Sequence, residues 1–407
     1  MKRVLFLIGT ALLALAFGLS YWQDTNREWT QYQRRFLRTL TKNERRGMTG
    51  GITQLIVSDL HRVDRCTSCH VAIDKPQLAL AEEPFTAHPG EYLVWHPPER
   101  FGCTVCHGGQ GLATEVKAAH GDLKHWEEPL LRGPLVQASC RKCHGNLEEI
   151  ASHVPTLIQG LVLFKAKGCY GCHKIGEFGQ TIAPELTEIG SKPYALMKAD
   201  FEFVEGTHDR INWMRQKLAN PRKLNPGFRK EELPPGEEEV FPTAMPNVGL
   251  REEEIEALTV YMLSLTEEKL PAAYVIPSST PQPKPVYASS VEAGRAVFEQ
   301  YGCLGCHGQG GMGGRKNFNA QLGEEVPSLV YVKVYYDRES LKEFIRTGRQ
   351  PVPRADPTRP TPPLYMPAWK DKISEEELDQ VADYLFSLYE QVASTQPPAQ
   401  AVREATP

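Results

Sequence analysis

The chain opens with an almost wholly apolar segment. From Val4 to Trp22 the side chains are apolar apart from a few small ones, and Lys2 and Arg3 precede the run. Nineteen residues approach the ~20 that span a bilayer, and a basic start before an apolar segment is typical of an export signal. Ala14-Leu15-Ala16 offers a cleavage site, but the apolar run continues beyond it. We therefore expect an uncleaved transmembrane anchor, with the rest of the chain on the extracytoplasmic (periplasmic) face of the cytoplasmic membrane.

The next segment, residues 26–47, has the periodicity of an amphipathic helix. It is either a helix that docks on its own domain or a juxtamembrane helix that lies on anionic headgroups or on a membrane partner. Its apolar face holds Trp29, Tyr32, Phe36, Leu37 and Leu40. Its basic side chains are Arg27, Arg34, Arg35, Arg38, Lys42, Arg45 and Arg46.

Two helical patterns recur in the second half of the chain. The fourteen residues from Gly160 match those from Gly294 at seven positions. A second pattern, acidic at its start, lies over 252–265 and again over 375–388, and the later copy opens with a Ser374–Glu377 capping box. The repeated order predicts two similar helical domains in tandem.

The remaining composition indicates loops and a soluble bulk. Thirty-three glycines and 32 prolines favour loops and short helices, and a net charge of −4 argues against a nucleic-acid partner. A glutamate-rich stretch at 231–239 is expected to be a solvated loop. The predicted domains are an anchor (1–25), a juxtamembrane helix (26–47), a module rich in cysteine motifs (48–153), two helical domains (154–270 and 290–391) with a semi-rigid Pro-rich linker between them (271–289), and a disordered tail (392–407).

The cysteines carry the chemistry, because all ten fall in five Cys-x-x-Cys-His motifs. Two thiols at this spacing add to the two vinyl groups of one haem, and the adjacent histidine ligates the iron. Zinc does not require a histidine after every cysteine pair, and a redox dithiol is usually single beside a βαβ pattern. The attachment cysteines are Cys66, Cys69, Cys103, Cys106, Cys140, Cys143, Cys169, Cys172, Cys303 and Cys306. The histidines that follow them are His70, His107, His144, His173 and His307.

These motifs resemble those of the multihaem c-type cytochromes, here one with five haems. The resemblance implies five covalently bound c-type haems (iron), electron transfer, and haem attachment outside the cytoplasm. The first cysteines of the first three motifs, at 66, 103 and 140, are 37 residues apart. Three large cofactors so close together leave little room for a protein core, so we expect this trihaem module to be unfolded without haem.

The first three haems need sixth ligands, and the sequence restricts the choice. No methionine occurs from residue 49 to 196, so bis-histidine ligation is expected. His88 and His96 precede prolines that hold their loops stiffly. The candidates are His88, His120, His125, His96 and His61, with His153 just beyond.

A Met-Pro pair precedes each later helix, Met245-Pro246 and Met366-Pro367. The order of helix, haem motif, loops, Met-Pro and helix resembles the class I cytochrome c fold, present twice in tandem. The resemblance implies that the first helix crosses the last. It also implies that Met245 and Met366 are the sixth ligands opposite His173 and His307, with His208 as a rival at the fourth haem. A thioether favours ferrous iron and raises the potential. The aromatic pairs expected to pack together are Phe164 with Tyr261 and Phe298 with Tyr384.

The expected fold is thus mainly α with extensive loop: a transmembrane helix, a haem-packed trihaem module and two class I cytochrome c domains. The layout resembles multihaem subunits of bacterial quinol–cytochrome c reductase-like complexes, including alternative complex III. This resemblance implies a quinol-oxidising membrane partner as donor and another cytochrome or a terminal acceptor. Bis-His haems should have lower potentials than His/Met haems, so electrons should flow towards the class I domains.

We therefore expect an electron carrier rather than an enzyme. One alternative is a catalytic multihaem reductase or peroxidase, which needs an iron with an open position. The other is a filament-forming conductive cytochrome, against which the long linker and the membrane anchor argue.

Overall fold

The chain is described from a computed structural model, and it divides into two compact units, Met1–Ser139 with Leu270–Tyr274, and Cys140–Lys269 with Val275–Pro407. Both are built mainly from helices joined by long loops, as the sequence predicts. The first two haem motifs fall in the first unit and the other three in the second. The residues that the structure describes are 2–46, 48, 50–124, 126–197, 201–225, 243, 245–277, 285–317, 320–321, 325–349, 353, 355 and 363–395.

The first unit holds two longer helices, of 24 and 12 residues, and several single turns. Prolines start some of these turns and glycines end them: α5 begins at Pro98, and Gly102 and Gly108 take positive φ after α5 and α6. Its helices are α1 (Lys2–Thr25), α2 (Glu28–Thr39), α3 (Lys42–Arg45), α4 (Tyr92–Trp95), α5 (Pro98–Phe101), α6 (Thr104–His107) and α7 (Val116–Ala119). Its antiparallel strands are β1 (Leu55–Val57) and β2 (Arg62–Asp64), and its 3₁₀ turns are Ser58–Leu60, Cys66–Ser68, Pro76–Leu78 and Ala272–Tyr274.

The buried apolar side chains described in this unit form small clusters. Phe36, Ala72 and Phe85 make one, and Val57, Leu60, Val105 and Tyr274 make another. Clusters of this size fit the expectation that the cofactors supply part of the core.

Helix α1 is exposed along its whole length. It has 24 residues and a mean hydropathy of 2.2 over its most apolar window, so it is long and apolar enough to cross a membrane. An anchor and a signal sequence share this property, so retention of the helix stays a prediction.

Helix α2 packs on its own unit, which is the first of the two alternatives for residues 26–47. Phe36 is only 2% exposed, and its ring centroid lies 5.4 Å from that of Phe85. The Gln33 amide donates to the Ser68 carbonyl at 3.0 Å, inside the first haem motif. The helix therefore supports that motif directly.

Most of the described helices of ten or more residues lie in the second unit. The helices of this unit are α8 (Pro155–Ala166), α9 (Arg210–Ala219), α10 (Pro221–Leu224), α11 (Glu252–Leu263), α12 (Ser290–Gln300), α13 (Leu304–His307), α14 (Val332–Tyr335), α15 (Arg338–Thr347) and α16 (Glu375–Thr395). Its 3₁₀ turns are Glu148–Ile150, Cys169–Gly171, Tyr194–Leu196 and Gln309–Gly311. A further 3₁₀ stretch, Gly133–Lys142, begins in the residues of the first unit and ends in those of the second.

Two helix crossings organise this unit, α8 on α11 and α12 on α16. Glycine permits each crossing, because a methyl group at Gly160 would overlap the Ala257 carbonyl and one at Gly294 would overlap the Gln380 carbonyl. The two glycines are equivalent positions of the sequence repeat. The predicted crossing of first and last helices is therefore confirmed in both copies.

The aromatic pairs expected at the crossings are also confirmed. Ring centroids are 5.3 Å apart for Phe164 and Tyr261 and 5.4 Å apart for Phe298 and Tyr384. The capping box before α16 forms as well: Glu377 donates its backbone N–H to the Ser374 hydroxyl, and its carboxylate accepts from the Ser374 N–H. Local sequence signals thus define these domains.

Two predicted segments differ from expectation. The start of the Pro-rich linker is packed rather than a free spacer, because Tyr274 is 7% exposed and its ring lies 5.5 Å from that of Phe101. Helix α16 extends to Thr395, past the predicted start of the tail at 392. The glutamate-rich stretch 231–239, linker residues 278–284 and the tail from 396 onward lie outside the described residues.

Candidate functional site

All five Cys-x-x-Cys-His motifs share one backbone conformation. In each, the histidine N–H donates to the carbonyl of the first cysteine at 2.9–3.0 Å, and the N–H of the second cysteine donates to the same carbonyl at 3.1–3.2 Å. One tight helical turn thus holds two thiols and an imidazole close together, as attachment to one haem requires. All ten cysteines are free thiols rather than disulfides.

Backbone carbonyls orient three of the motif histidines. The Nδ1 atom of His173 lies 2.7 Å from the Pro184 carbonyl, that of His307 3.2 Å from the Pro327 carbonyl, and that of His107 3.3 Å from the Leu131 carbonyl. Since a carbonyl only accepts, Nδ1 carries the proton and Nε2 keeps its lone pair for a metal. Burial lowers the pKa of His173 and of His307, which favours the neutral, ligating form.

The third motif is held by the strand-like segment that follows the fourth motif's domain. His144 forms a parallel bridge with Ile276, the Gly145 N–H donates to the Ile276 carbonyl at 2.9 Å, and the Ile276 N–H donates to the Cys143 carbonyl at 2.7 Å. A part of the predicted linker therefore fixes this motif.

Two candidate sixth ligands lie close to motif histidines in the first unit. Ring centroids are 6.4 Å apart for His70 and His120 and 6.1 Å apart for His88 and His107. Two imidazoles on opposite sides of one metal ion, each with a metal–nitrogen bond of ~2 Å, have centres ~6 Å apart. The structure therefore brings His120 to the first motif and His88 to the second at the spacing that one iron requires.

The hydrogen bonds of these two histidines differ. His88 Nδ1 donates to the Pro89 carbonyl at 3.0 Å, which leaves its Nε2 lone pair available. His120 Nδ1 lies 2.9 Å from the Arg132 guanidinium, which only donates. The proton of His120 is therefore on Nε2. For Nε2 to bind iron, that proton must move to Nδ1, which requires Arg132 to give up its hydrogen bond to Nδ1.

The other predicted histidine ligands are placed as follows. His96 Nδ1 lies 3.2 Å from the Tyr92 carbonyl, and its ring centroid is 5.1 Å from that of Phe101. His61 is exposed in the turn between β1 and β2, with a φ of 51°. His125 lies outside the described residues. The sixth ligand of the third haem stays a prediction among these three and the exposed His153.

The two predicted methionine ligands are half-buried. Met366 packs against the core cluster of the last domain, which includes Leu304 of the fifth motif. Gly348, with a φ of 65°, lies against the Met366–Pro367 backbone, and the Arg349 N–H donates to the Met366 carbonyl at 2.8 Å. The Met245 N–H donates to the Thr243 hydroxyl at 3.2 Å. Both backbones are thus fixed.

Competing ligands in the second unit are engaged elsewhere. Met197, Met214 and Met262 are core side chains, 4%, 0% and 6% exposed, and Met312 is 64% exposed. His208 Nε2 lies 2.8 Å from the Val204 carbonyl, to which it donates. The rival His208 therefore has its Nε2 proton in a hydrogen bond.

One residue that the sequence did not single out connects the first two motifs. Asp64 is 1% exposed, and its carboxylate accepts from the N–H groups of Cys103 and Thr104 at 2.5 and 2.9 Å and from the Thr104 hydroxyl at 2.7 Å. Because it lies two residues before Cys66, it ties the first motif to the start of the second. An acidic residue in a short strand gives no signal of a partner 40 residues away.

The donor set fits haem better than zinc. In each motif a histidine directly follows the second cysteine, which haem attachment requires and a zinc site does not. Burial raises the pKa of Cys169 and of Cys303 to about 12. Within the described ranges no group of three or more His, Cys, Asp or Glu side chains is arranged to hold a metal ion alone.

Comparison with known families identifies the two helical domains. Residues 157–266 match the family model described as cytochrome c, and residues 289–385 match the model described as cytochrome c oxidase, cbb3-type, subunit III. No curated protein and no solved structure matches the chain. The chain therefore contains two cytochrome c domains, in its C-terminal part, and these domains carry covalently bound haem and transfer electrons.

Proposed function

We propose that this protein is a pentahaem c-type cytochrome, anchored by α1, that transfers electrons on the extracytoplasmic face of a membrane. The observation that carries the proposal is the common backbone turn of all five Cys-x-x-Cys-His motifs, including the three outside the cytochrome c domains. Haem, when bound, supplies a one-electron ferric–ferrous couple. The chain's own residues hold it by two thioether bonds and a histidine Nε2.

The proposed axial ligands differ between the two parts of the chain. The spacing of His70 with His120 and of His88 with His107 supports bis-histidine ligation at the first two motifs. Met245 and Met366, each before the last helix of a cytochrome c domain, are the proposed ligands there. Methionine raises the potential relative to histidine, so electrons pass from the anchor end towards the cytochrome c domains.

The proposed partners follow from this direction. A quinol-oxidising membrane subunit is the donor, because the low-potential end is attached to the apolar helix α1. Another cytochrome or a terminal acceptor takes electrons from the cytochrome c domains. The proposed role is that of a carrier within an oxidoreductase complex.

A redox titration of the full-length protein, followed in the visible spectrum, tests the direction. We expect two groups of haems, three at lower and two at higher potential. The matched variants Met245→His and Met366→His should each move one haem from the higher group to the lower. Five haems in a single narrow band would refute the proposed direction.

A further inference from the structure

The fourth and fifth haem motifs lie against each other in the second unit. The turns that carry them meet through glycines: a methyl group at Gly171 would overlap the Gly302 carbonyl, and one at Gly305 would overlap the Gly168 carbonyl. Such overlap means that the two backbones are in direct contact. No side chain separates the two motifs at these points.

The contact is reciprocal. Gly168 and Gly302 each precede the first cysteine of a motif, and Gly171 and Gly305 each precede the second cysteine. In each motif, the glycine before the first cysteine therefore meets the glycine before the second cysteine of the other motif. This is the pattern of a two-fold interface between equivalent surfaces, formed here within one chain.

The thiols follow the same symmetry. The thiols of Cys172 and Cys306, the second cysteines of the two motifs, lie close enough to influence each other. Lys372 of the second domain also donates to the Gly179 carbonyl of the first at 2.5 Å. The two domains are thus joined at the thiols that attach haem.

Haem attachment does not itself require these glycines. The residue before the second cysteine is Ser68, Val105 and Lys142 in the first three motifs, and glycine only in the last two. Glycine at this position therefore serves the contact between the motifs rather than the thioether chemistry.

We propose that the two cytochrome c domains form one fixed unit, in which Cys172 and Cys306 would attach their two haems close enough together for direct electron exchange. The haems, when bound, would supply a one-electron ferrous–ferric couple, and the exchange would need no proton or further reactant. Gly168, Gly171, Gly302 and Gly305 are its positioning residues, since they set how closely the two haems approach. The proposal deepens the proposed function and rests on haem attachment in both domains.

Circular dichroism in the Soret region tests the proposal on the full-length, haem-loaded protein, because two haems in close contact give a two-signed exciton signal. The Gly171→Ala/Gly305→Ala variant should retain the haem content of the wild type but lose much of that signal, since the packed turns must separate. The control is Gly176→Ala, which strains the backbone of the first cytochrome c domain through its φ of 57° but has open space around it, so it does not touch the fifth motif.

A second variant tests whether the exciton signal comes from the fourth and fifth haems. Cys303→Ser/Cys306→Ser removes the fifth haem and should abolish the same component of the signal. An unchanged signal in either double variant, or an equal loss in Gly176→Ala, would overturn the proposal. A protein with haem on the last two motifs alone would still show the signal, so failure of the pentahaem proposal is distinguishable from failure of this one.

Discussion

At the scale of single residues, the five Cys-x-x-Cys-His turns are local, whereas side chains that support them come from distant parts of the chain. The spacing of Cys66, Cys69 and His70 is local, and one turn of backbone realises it. The ring of His88, nineteen residues upstream of His107, lies 6.1 Å from the His107 ring, in a loop whose path depends on tertiary packing. Several histidines were therefore equivalent in the sequence, and only the folded loops distinguish them.

The pairing of His88 with His107 predicts the effect of removing the distal side chain. In His88→Ala, one haem of the five should become high-spin and bind carbon monoxide, because its iron loses a ligand. The measurement is the Soret shift on addition of carbon monoxide to the reduced protein. His208→Ala is the control and should bind none. A His88→Ala protein whose five haems all stay low-spin would contradict the pairing.

The hydrogen bonds of Asp64 predict that replacing this residue lowers the stability of the protein. Asp64→Ala leaves the buried N–H groups of Cys103 and Thr104 without their acceptor, which costs about 2–4 kcal/mol. Denaturant unfolding of the haem-loaded protein measures this change, with the exposed Asp59→Ala as control. Equal unfolding midpoints for the two variants would show that the Asp64 contacts contribute nothing to the stability of the protein.

At the scale of elements, the helices of the second unit followed from the sequence because periodicity, caps and repeats agreed. The conformation of residues 271–277 did not follow from the sequence. Their prolines suggested a spacer, whereas Tyr274 and Ile276 make specific contacts. Proline content indicates that a segment is stiff, but the burial of one aromatic ring decides whether that segment packs against the protein. The single turns α4 to α7 also lacked a periodic signal, because four residues are too few to show one.

The helix crossings predict that the stability of the protein depends strongly on the glycines at which the helices meet. Gly294→Ala places a methyl group on the Gln380 carbonyl, and the overpacking should destabilise the protein by about 1–3 kcal/mol. Arg295→Ala, on the exposed side of the same helix, should change stability by less than about 1 kcal/mol. Thermal unfolding of both variants tests this difference. A Gly294→Ala protein as stable as the wild type would show that the helices do not meet at this glycine.

At the scale of the whole molecule, the proposed function depends on cofactor number. Two cytochrome c domains account for two haems. Two of the three remaining motifs lie in the first unit, whose described apolar clusters are small and whose loops are long. Segments of this kind gain stability from large apolar cofactors, so the first unit should require haem to fold.

The intact mass of the mature full-length protein tests the central claim most directly. We predict the mass of the chain plus five covalently attached haems, and one haem fewer in the variant Cys140→Ala/Cys143→Ala. A mass that corresponds to two haems, unchanged in that variant, would contradict a five-haem electron carrier.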